Sequence, residues 1–360
     1  MSLIIGTYAI AKNEAKHVDR WADSLQGMDT ICCLDTGSDD GTQDKMRAKG
    51  VQVVERKLDP WRFDHARNVS MSIVPKDVQV LLWLDIDEVL EPGWREHIEK
   101  AYDERIDQYA IWYCWGHGRK YFYDKFHFND RERLTWRHPV HEVLYRKDGR
   151  GCNKVRVSEV KINHLPDPTK SRGNYLPLLK LSVTEDPMND RNAHYYAREL
   201  YFYNQDEESI KEFNRHLNLP TAQWAEERCA SCRYLAKIMR RRSDMLGEYK
   251  WLLRAVSEHP GSKEAWLELA QNRYDVRDHK GAFAAALNAS NLTQRCGTYI
   301  EEDWAWCGWQ QPDHLATNYW YAVEGKSTKD VGLMWAKQAL EKNPNDKRLF
   351  DNKMFWERLP

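Results

Sequence analysis

The sequence has no long apolar run and no targeting signal. Its longest uninterrupted apolar stretches fall far short of the roughly 20 residues that a membrane-spanning helix needs, so we expect no integral membrane association. Leu3–Ala11 is apolar, but no basic residue precedes it and no small-residue cleavage site follows it. We therefore expect a first β-strand at this segment and a cytoplasmic protein.

A charge excess and a complete zinc motif are also missing. The 54 Lys and Arg residues balance 55 Asp and Glu residues, so no overall field attracts nucleic acid or an anionic membrane. Cys229 and Cys232 form a lone C-x-x-C among eight cysteines, with no second pair to complete a zinc site. Reduced thiols in a cytoplasmic protein are the simpler interpretation.

The first half of the chain alternates short apolar runs with helical segments. Such β-α-β-α order predicts a largely parallel sheet with helices on both faces. The predicted strands are Ile4–Ile10, Thr30–Leu34, Val51–Val54, Val80–Leu84 and Tyr109–Trp115, and the predicted helices lie near Ala15–Leu25, Gln43–Lys49 and Trp94–Arg105.

The second half has the pattern of stacked helices. Two prolines within His164–Pro168 predict a domain boundary, and the sequence after them is helical. An aromatic residue or Leu followed by Ala recurs at intervals of 39, 34 and 52 residues, and the middle interval matches the 34-residue period of tetratricopeptide repeats. The four pairs are Tyr196-Ala197, Leu235-Ala236, Leu269-Ala270 and Tyr321-Ala322.

Two acidic residues follow the most apolar strand. In Gln79–Glu88 an apolar run breaks into Asp85-Ile-Asp87, and on extended backbone this spacing points both carboxylates the same way. Acids at the open end of an α/β sheet lie where such folds bind ligands, and a shared Mg²⁺ or Mn²⁺ would take their oxygens. A solvated strand end with ordinary turn acids is the alternative.

A second turn after a predicted strand has groups that suit a ligand. Asp35-Thr-Gly-Ser38 combines a glycine, which permits close approach, with side chains that form hydrogen bonds. A nucleotide base could lie there against Asp35 or Thr36. A plain strand-to-helix turn with Ser38 or Asp39 as the helix N-cap is the alternative.

Arg67 and Asn68 are expected to open a helix. An anion near that end would gain from the free N–H groups and from the guanidinium of Arg67. The alternative is a helix cap with a salt bridge to Asp64, and the two interpretations can coexist.

Taken together, these motifs resemble the family 2 glycosyltransferases. The motifs that carry the resemblance are Ala11-Lys12-Asn13-Glu14, Asp35-Thr-Gly-Ser-Asp-Asp-Gly-Thr42, Asp64-His-Ala-Arg-Asn68 and Asp85-Ile-Asp87, in the family's order. The resemblance implies an α/β GT-A domain, Rossmann-like with a mostly parallel sheet, at residues 1–168. It also implies an all-α, tetratricopeptide-like helical-repeat domain at residues 169–360.

The resemblance also implies a set of site residues. Glu142 would be the base that takes the proton from an acceptor hydroxyl, and Asp85, Asp87 and His164 would hold the divalent metal, with His141 competing for the last role. Many family members have two acids in succession where this chain has Asp35-Thr36, which leaves the nucleotide base open. The residues that would contact the nucleotide are Ala11, Asn13, Glu14, Asp35, Thr36, Arg67 and Asp85.

The implied function is transfer of a sugar from a nucleotide-diphosphate sugar such as a UDP-sugar, with Mn²⁺ or Mg²⁺. The family favours inversion of configuration, but relatives with a similar site retain it. The acceptor (glycan, protein or modified nucleic-acid base) would be held partly by the helical half, which could also bind a second copy of the chain to form a homodimer. One alternative is a catalytically inert transferase-like scaffold whose repeats bind a protein partner. Another is a nucleotidyltransferase, although no Gly-rich basic loop follows the first strand.

A tryptophan-rich segment interrupts the repeats. Glu301–Trp309 falls within the long 52-residue interval and fits the repeat pattern poorly. We expect it to be an insertion with exposed aromatic side chains, which mark contact surfaces.

Overall fold

A computed structural model of the protein describes residues 2–115, 119–167, 175–298, 300–323 and 328–359. The chain divides after Ser182 into two compact units, which we call the α/β unit and the helical unit. Pro168, at which the sequence predicts the domain boundary, lies outside the described residues.

The α/β unit contains an eight-stranded sheet in the order β3-β2-β1-β4-β7-β6-β10-β5 and a separate hairpin of β8 and β9. Its strands are β1 (Ile5–Ala11), β2 (Thr30–Asp35), β3 (Gln52–Glu55), β4 (Val80–Trp83), β5 (Glu88–Leu90), β6 (Gln108–Trp115), β7 (Arg119–Phe128), β8 (Leu134–Arg137), β9 (Val143–Arg146) and β10 (Lys154–His164). Its helices are α1 (Val18–Ser24), α2 (Thr42–Ala48), α3 (Phe63–Ile73) and α4 (Trp94–Ala101), and α5 (Tyr175–Glu185) crosses the division between the units.

The sheet is mixed, and the prediction of a Rossmann-like GT-A domain is wrong. The strands β3, β2, β1 and β4 run parallel, as do β6 and β10. The other three pairings, β4 with β7, β6 with β7 and β10 with β5, are antiparallel. The sheet is curled into a half-barrel. Two of the antiparallel pairings arise because β7, an aromatic strand, inserts between β4 and β6. The sequence pattern indicates aromatic and basic strands after Trp115 but gives neither their bounds nor their pairing.

Among the described residues of this unit, two apolar clusters form the core. The larger one joins β1, β4, β6 and β10 to Trp21 of α1 and to Trp94 and Ile98 of α4. The other joins Tyr8 and Trp83 to Met71 of α3 and to Trp136 of β8. Strands such as β4, in which every residue is buried, read as continuous apolar runs because both faces of the sheet are covered.

The helical unit is a succession of helix pairs. Each pair joins two consecutive helices that contact each other: α6 with α7, α8 with α9, α10 with α11, and α13 with α14. The helices are α6 (Asp190–Phe202), α7 (Asp206–Asn218), α8 (Ala225–Arg241), α9 (Met245–Glu258), α10 (Lys263–Asp275), α11 (His279–Asn291), α12 (Asp303–Cys307), α13 (Gln310–Ala322), α14 (Lys329–Lys342) and α15 (Lys347–Arg358).

A repeated turn shows that the pairs are true repeats. In the first three pairs the turn between the two helices has one residue with positive φ: Asn204 (57°), Ser243 (58°) and Arg277 (61°). Their numbers differ by 39 and 34, the same intervals as the first two in the sequence pattern. In the second and third pairs an aspartate N-cap follows, and Asp244 and Asp278 accept hydrogen bonds from the backbone N–H groups of Gly247 and Gly281.

The fourth repeat is placed differently from the prediction. Ala197, Ala236 and Ala270 are buried in the first helices of their pairs, where a small side chain lets helices approach closely. Tyr321, however, is 56% exposed near the end of α13. Leu315 and Ala316, each 1% exposed, are the buried Leu-Ala pair of that helix. The period-based alignment was therefore shifted by six residues.

The predicted insertion forms the short helix α12 between α11 and α13. The sequence predicts exposed aromatic side chains here, but the tryptophans of α12 are partly buried. Trp304 and Trp306 are partly buried against Leu267, Ala289 and Ala305, and the indole N–H of Trp306 donates to Glu264. None of the described helices is both long enough and apolar enough to cross a bilayer.

Candidate functional site

The turn after β2 is closed by the buried carboxylate of Asp35. This carboxylate accepts hydrogen bonds from the backbone N–H groups of Gly37 and Ser38, from the Ser38 hydroxyl and from the Gln43 amide. Gly37 has φ of +111°, which a side chain would strain. Asp35 thus holds its own turn together. The alternative N-caps, Ser38 and Asp39, are both displaced by Gly41, which precedes α2.

The predicted nucleotide contacts at the end of β1 also bond to this turn. The backbone carbonyl of Ala11 accepts from both the N–H and the hydroxyl of Thr36. Asn13, with φ of 56°, receives the backbone N–H of Asp39 on its side-chain oxygen, and the N–H of Glu14 donates to Thr42. The structure therefore brings Ala11, Asn13, Glu14, Asp35 and Thr36 together. Their contact with a nucleotide stays a prediction.

Arg67 is the centre of a buried ion-pair network. Its Nη2 donates to Asp85 at 2.6 Å and its Nε donates to Glu142 at 2.9 Å. The guanidinium also lies over the Trp83 ring, 4.7 Å from its centre. Burial lowers the pKa of Arg67, but the two carboxylates outweigh it and raise the pKa above its ordinary value. Glu142, the predicted base, is thus already paired with a cation.

The helix that carries Arg67 begins earlier than the motif suggested. The sequence interpretation placed the start of a helix at Arg67 and Asn68, but α3 begins at Phe63. Arg67 therefore lies in the second turn, away from the free N–H groups of the helix start. The side-chain amide of Asn68 donates to the Trp136 carbonyl. The alternative salt bridge between Arg67 and Asp64 is also replaced, because Asp64 pairs with Arg62.

The two acids after β4 point to different partners. The strand ends at Trp83, and a turn occupies Ile86 and Asp87, so the extended geometry expected for Asp85 and Asp87 does not apply. Asp85 pairs with Arg67, whereas Asp87 Oδ2 lies 3.3 Å from His164 Nε2. Burial raises the pKa of Asp85, but Arg67 and Lys125 outweigh it and leave the pKa below its ordinary value.

The described residues do not assemble a complete metal site. Among them no group of three or more His, Cys, Asp or Glu side chains is close enough to hold an ion. Asp87 and His164 form a pair without Asp85 as a third ligand. His141, the competing histidine, has φ of 53°. Its ring lies 5.8 Å from the ring of Tyr175, centre to centre, at an angle of 59°. Two ligands alone fit a divalent cation poorly.

A buried Lys–Glu pair next to these acids was not identified from the sequence. Lys125 of β7 is 0% exposed and its ammonium contacts both carboxylate oxygens of Glu88, at 2.6 and 2.7 Å. Glu88 also accepts from the Tyr113 hydroxyl and from the Asp85 N–H. Burial lowers the pKa of Lys125 and raises that of Glu88. A lone lysine within the aromatic strand YFYDKFHF was the signal.

In the helical unit, basic side chains lie on tyrosine rings along α6 and α8, two helices that contact each other. Arg198 lies 4.5 Å from the centre of the Tyr195 ring, and Arg241 lies 4.2 Å from that of Tyr201. Lys237 lies over Tyr234 at 5.4 Å. We call these residues the α6/α8 face. Such Arg and Tyr groups are common in protein interfaces.

A hydrogen-bonded chain of buried side chains lies beneath this face. His194 and His216 each bond to the Ser231 hydroxyl through Nδ1, at 2.8 and 2.9 Å. His216 Nε2 lies 3.4 Å from Glu227. Burial, together with the neighbouring positive groups, lowers the pKa of His194 to about 3. Ser231 is 0% exposed, so this serine and its histidines are out of reach of a substrate.

Comparisons with known proteins return helical-repeat structures. A scan of family models and a search of curated proteins find no match for this chain. Solved structures similar to it include MamA (14% identity, TM-score 0.36, covering 49% of this chain and 85% of that chain). PilF of Pseudomonas aeruginosa is 11% identical, with a TM-score of 0.39 and coverage of 50% and 72%. YrrB, a tetratricopeptide-repeat protein with an unusual peptide-binding site, is 11% identical, with a TM-score of 0.30 and coverage of 49% and 97%.

These findings correct the sequence-based resemblance. The structural neighbours are tetratricopeptide-repeat proteins and not glycosyltransferases, so the assignments to family 2 and to a sugar-transferring enzyme are wrong. In the structure, the predicted base Glu142 and one predicted metal ligand, Asp85, both pair with Arg67. The motifs are present in the sequence, but their side chains bond to each other.

Proposed function

We propose that this chain is a helical-repeat scaffold that binds a protein partner through its helical unit. The observation that carries the proposal is the α6/α8 face, where basic side chains that are at least partly exposed lie on the partly or fully buried tyrosine rings of two adjoining helices. Stacked helix pairs form extended surfaces on which a polypeptide can lie.

The distribution of exposed apolar side chains supports the helical unit as the binding part. Among the described residues, fourteen exposed large apolar side chains belong to the helical unit and four to the α/β unit. Phe202 and Tyr203, at the end of α6, are 51% and 44% exposed. Exposed aromatic groups beside charged ones are typical of contact surfaces.

Arg198 defines the chemistry of the partner. No ion pair joins its guanidinium to any described residue, and its buried Nε lacks a hydrogen-bond partner among them. The neighbouring cations Lys237 and Arg241 already have acidic partners, Glu268 and Asp206. The face therefore keeps one positive charge available. A carboxylate of an acidic segment would satisfy Arg198 with a charge-assisted hydrogen bond.

In this proposal the α/β unit does not bind the partner, and its charged side chains stabilise its own fold. Its conspicuous charges neutralise one another: Arg67 with Asp85 and Glu142, and Lys125 with Glu88. A divalent cation at Asp85, Asp87 and His164, and a nucleotide sugar at the β1 and β2 turns, stay untested predictions, as does a cytoplasmic location. If a cation binds, Mn²⁺ should raise the melting temperature of the wild type and not that of Asp87→Asn.

The proposal is tested by binding the full chain to an array of extended peptides of acidic, neutral and basic composition. Acidic peptides should be retained, and their affinity should fall as salt rises because exposed charges are screened. Arg198→Glu should weaken binding at least tenfold. Lys250→Glu, which reverses an exposed charge on α9, is the matched control and should bind normally. Equal retention of all three peptide classes, or wild-type binding by Arg198→Glu, would show the proposal to be wrong.

A further inference from the structure

The last helix of the chain has two opposite stripes. Leu349 and Trp356 are 1% and 2% exposed and face the helical unit, where the Trp356 ring stacks with Tyr319. Asn352, on the same side, donates to Asp313. This inner side of α15 is therefore fully used by its own chain.

The outer stripe of α15 is apolar in the middle and charged at both ends. Asp351, Met354, Phe355 and Arg358 have the i, i+3, i+4, i+7 spacing of one helix face. Phe350 and Phe355 are 47% and 45% exposed. A shallow cavity of about 480 Å³ is lined by Phe350, Asp351, Met354, Phe355, Arg358 and Leu359.

The charges at the ends of this stripe have opposite sign and no partner. Neither the Asp351 carboxylate nor the Arg358 guanidinium forms a hydrogen bond or ion pair with any residue that the structure describes. They are seven residues apart, which at 1.5 Å per residue is about 10.5 Å along the axis. The apolar residues Met354 and Phe355 lie midway between them.

We infer that the outer stripe of α15 is a homodimer interface, in which α15 of a second copy packs antiparallel across a twofold axis. A twofold axis between Met354 and Phe355 places each Asp351 opposite Arg358 of the other copy, so the ion pair forms twice. Such self-complementarity is what a twofold interface requires, because residue i meets residue j and j meets i. It also selects a second copy over a partner of unrelated sequence.

The apolar residues stabilise this contact, but their small number limits the affinity of the dimer. Pairing would cover Phe350, Met354 and Phe355 on both copies, and Trp320, which lies 5.5 Å from Phe355 ring to ring, widens the patch. One helix per copy buries less area than a standard interface. We therefore expect a reversible dimer with a dissociation constant on the order of 10 μM.

Charge reversal tests this arrangement with the full chain. Sedimentation equilibrium over a concentration series should show a monomer–dimer equilibrium for the wild type. Asp351→Arg places Arg opposite Arg358, and Arg358→Asp places Asp opposite Asp351, so each variant should weaken the dimer at least tenfold. Glu341→Lys reverses an exposed charge on α14 and should leave the equilibrium unchanged.

Mixing the two variants gives the decisive measurement. An Asp351→Arg chain has only positive charges at both ends of the stripe, and an Arg358→Asp chain has only negative ones. The mixture should form a heterodimer at least as tight as the wild-type dimer. A wild type that stays monomeric at about 100 μM, ten times the expected constant, would overturn the inference. So would a dimer that tolerates both reversals, or a mixture that fails to associate.

Discussion

Arg67 contributes to stability because it neutralises two carboxylates at once. Arg67→Gln would leave Asp85 and Glu142 without their cation, and breaking a buried pair costs about 3 kcal/mol. Asp85 is 39% exposed, so we expect the lower end of the range for such changes. Urea unfolding of the wild type and the variant measures the difference.

The control for Arg67→Gln removes the carboxylates as well. Adding Asp85→Asn and Glu142→Gln to Arg67→Gln should recover most of the lost stability. The pKa of Asp85 is held below its ordinary value, so its contribution is present at neutral pH and is lost as pH falls. The gap between wild type and Arg67→Gln should therefore narrow in acid. An equal gap at all pH values would contradict the ion-pair explanation.

Buried His194 should make the helical unit sensitive to acid. Burial and nearby positive groups lower its pKa to about 3 in the folded state, whereas an exposed histidine has a pKa of about 6.5. Between these values the unfolded state binds the extra proton. Stability therefore falls as pH decreases through this window, by up to about 1.4 kcal/mol per pH unit for one such histidine.

The measurement is the free energy of unfolding at several pH values between 7 and 4, followed by helical circular dichroism. His194→Asn can still bond to Ser231. It should reduce the slope of the free energy of unfolding against pH by an amount that corresponds to up to one bound proton. His127 and His314 have pKa values lowered to about 4 by burial, so part of the slope should remain. Exposed His65→Asn is the control and should not change it. A steeper or unchanged slope in His194→Asn would contradict the argument.

At the scale of elements, close packing of α14 on α15 requires Gly332. A Cβ at this position would lie 2.3 to 2.4 Å from atoms of the Trp356 ring. Alanine favours helix over glycine by about 1 kcal/mol, but forcing extra volume into a packed site costs about 1–3 kcal/mol. We expect Gly332→Ala to destabilise the helical unit, as measured by its melting temperature.

The reason for this loss can be checked with a second substitution. In a Trp356→Leu background the ring is gone, and Gly332→Ala should become neutral or stabilising through helix propensity. If Gly332→Ala stabilised the wild type, α14 and α15 would not approach as closely as the structure shows. Because the outer stripe belongs to α15, the same substitution should also weaken the proposed dimer.

The strands that the sequence predicted best are those with continuous apolar runs. The structure places β1, β2, β3, β4 and β6 within one residue of the prediction at each end. Every residue of β4 is buried, whereas β3, at the edge of the sheet, is largely exposed. Local pattern could not reveal that β7 returns antiparallel between β4 and β6, because pairing of distant strands depends on long-range packing. That one strand accounts for two of the three antiparallel pairings in the sheet.

The sequence predicted where the residues of the candidate site lie along the chain, but not which side chains they contact. The sequence indicated that Asp35 lies at the end of β2 and that Asp85 follows β4, and the structure places both residues there. It could not show that Arg67 reaches Asp85 and Glu142, because these side chains are 18 and 75 residues away from it. The repeated turns could have been predicted from the sequence. An aspartate followed three residues later by a glycine recurs at Asp244 and Asp278, which are 34 residues apart.

At the scale of the whole molecule, the scaffold proposal predicts that partner binding depends on the helical unit and not on the charges of the α/β unit. Glu142→Gln removes one carboxylate from the Arg67 network, far along the chain from the α6/α8 face. In the full chain it should leave the affinity for an acidic peptide within twofold of wild type, whereas Arg198→Glu should lower it at least tenfold. Fluorescence anisotropy with a labelled peptide measures both. The opposite ranking, with Glu142→Gln the more damaging change, would place the partner's binding site on the α/β unit.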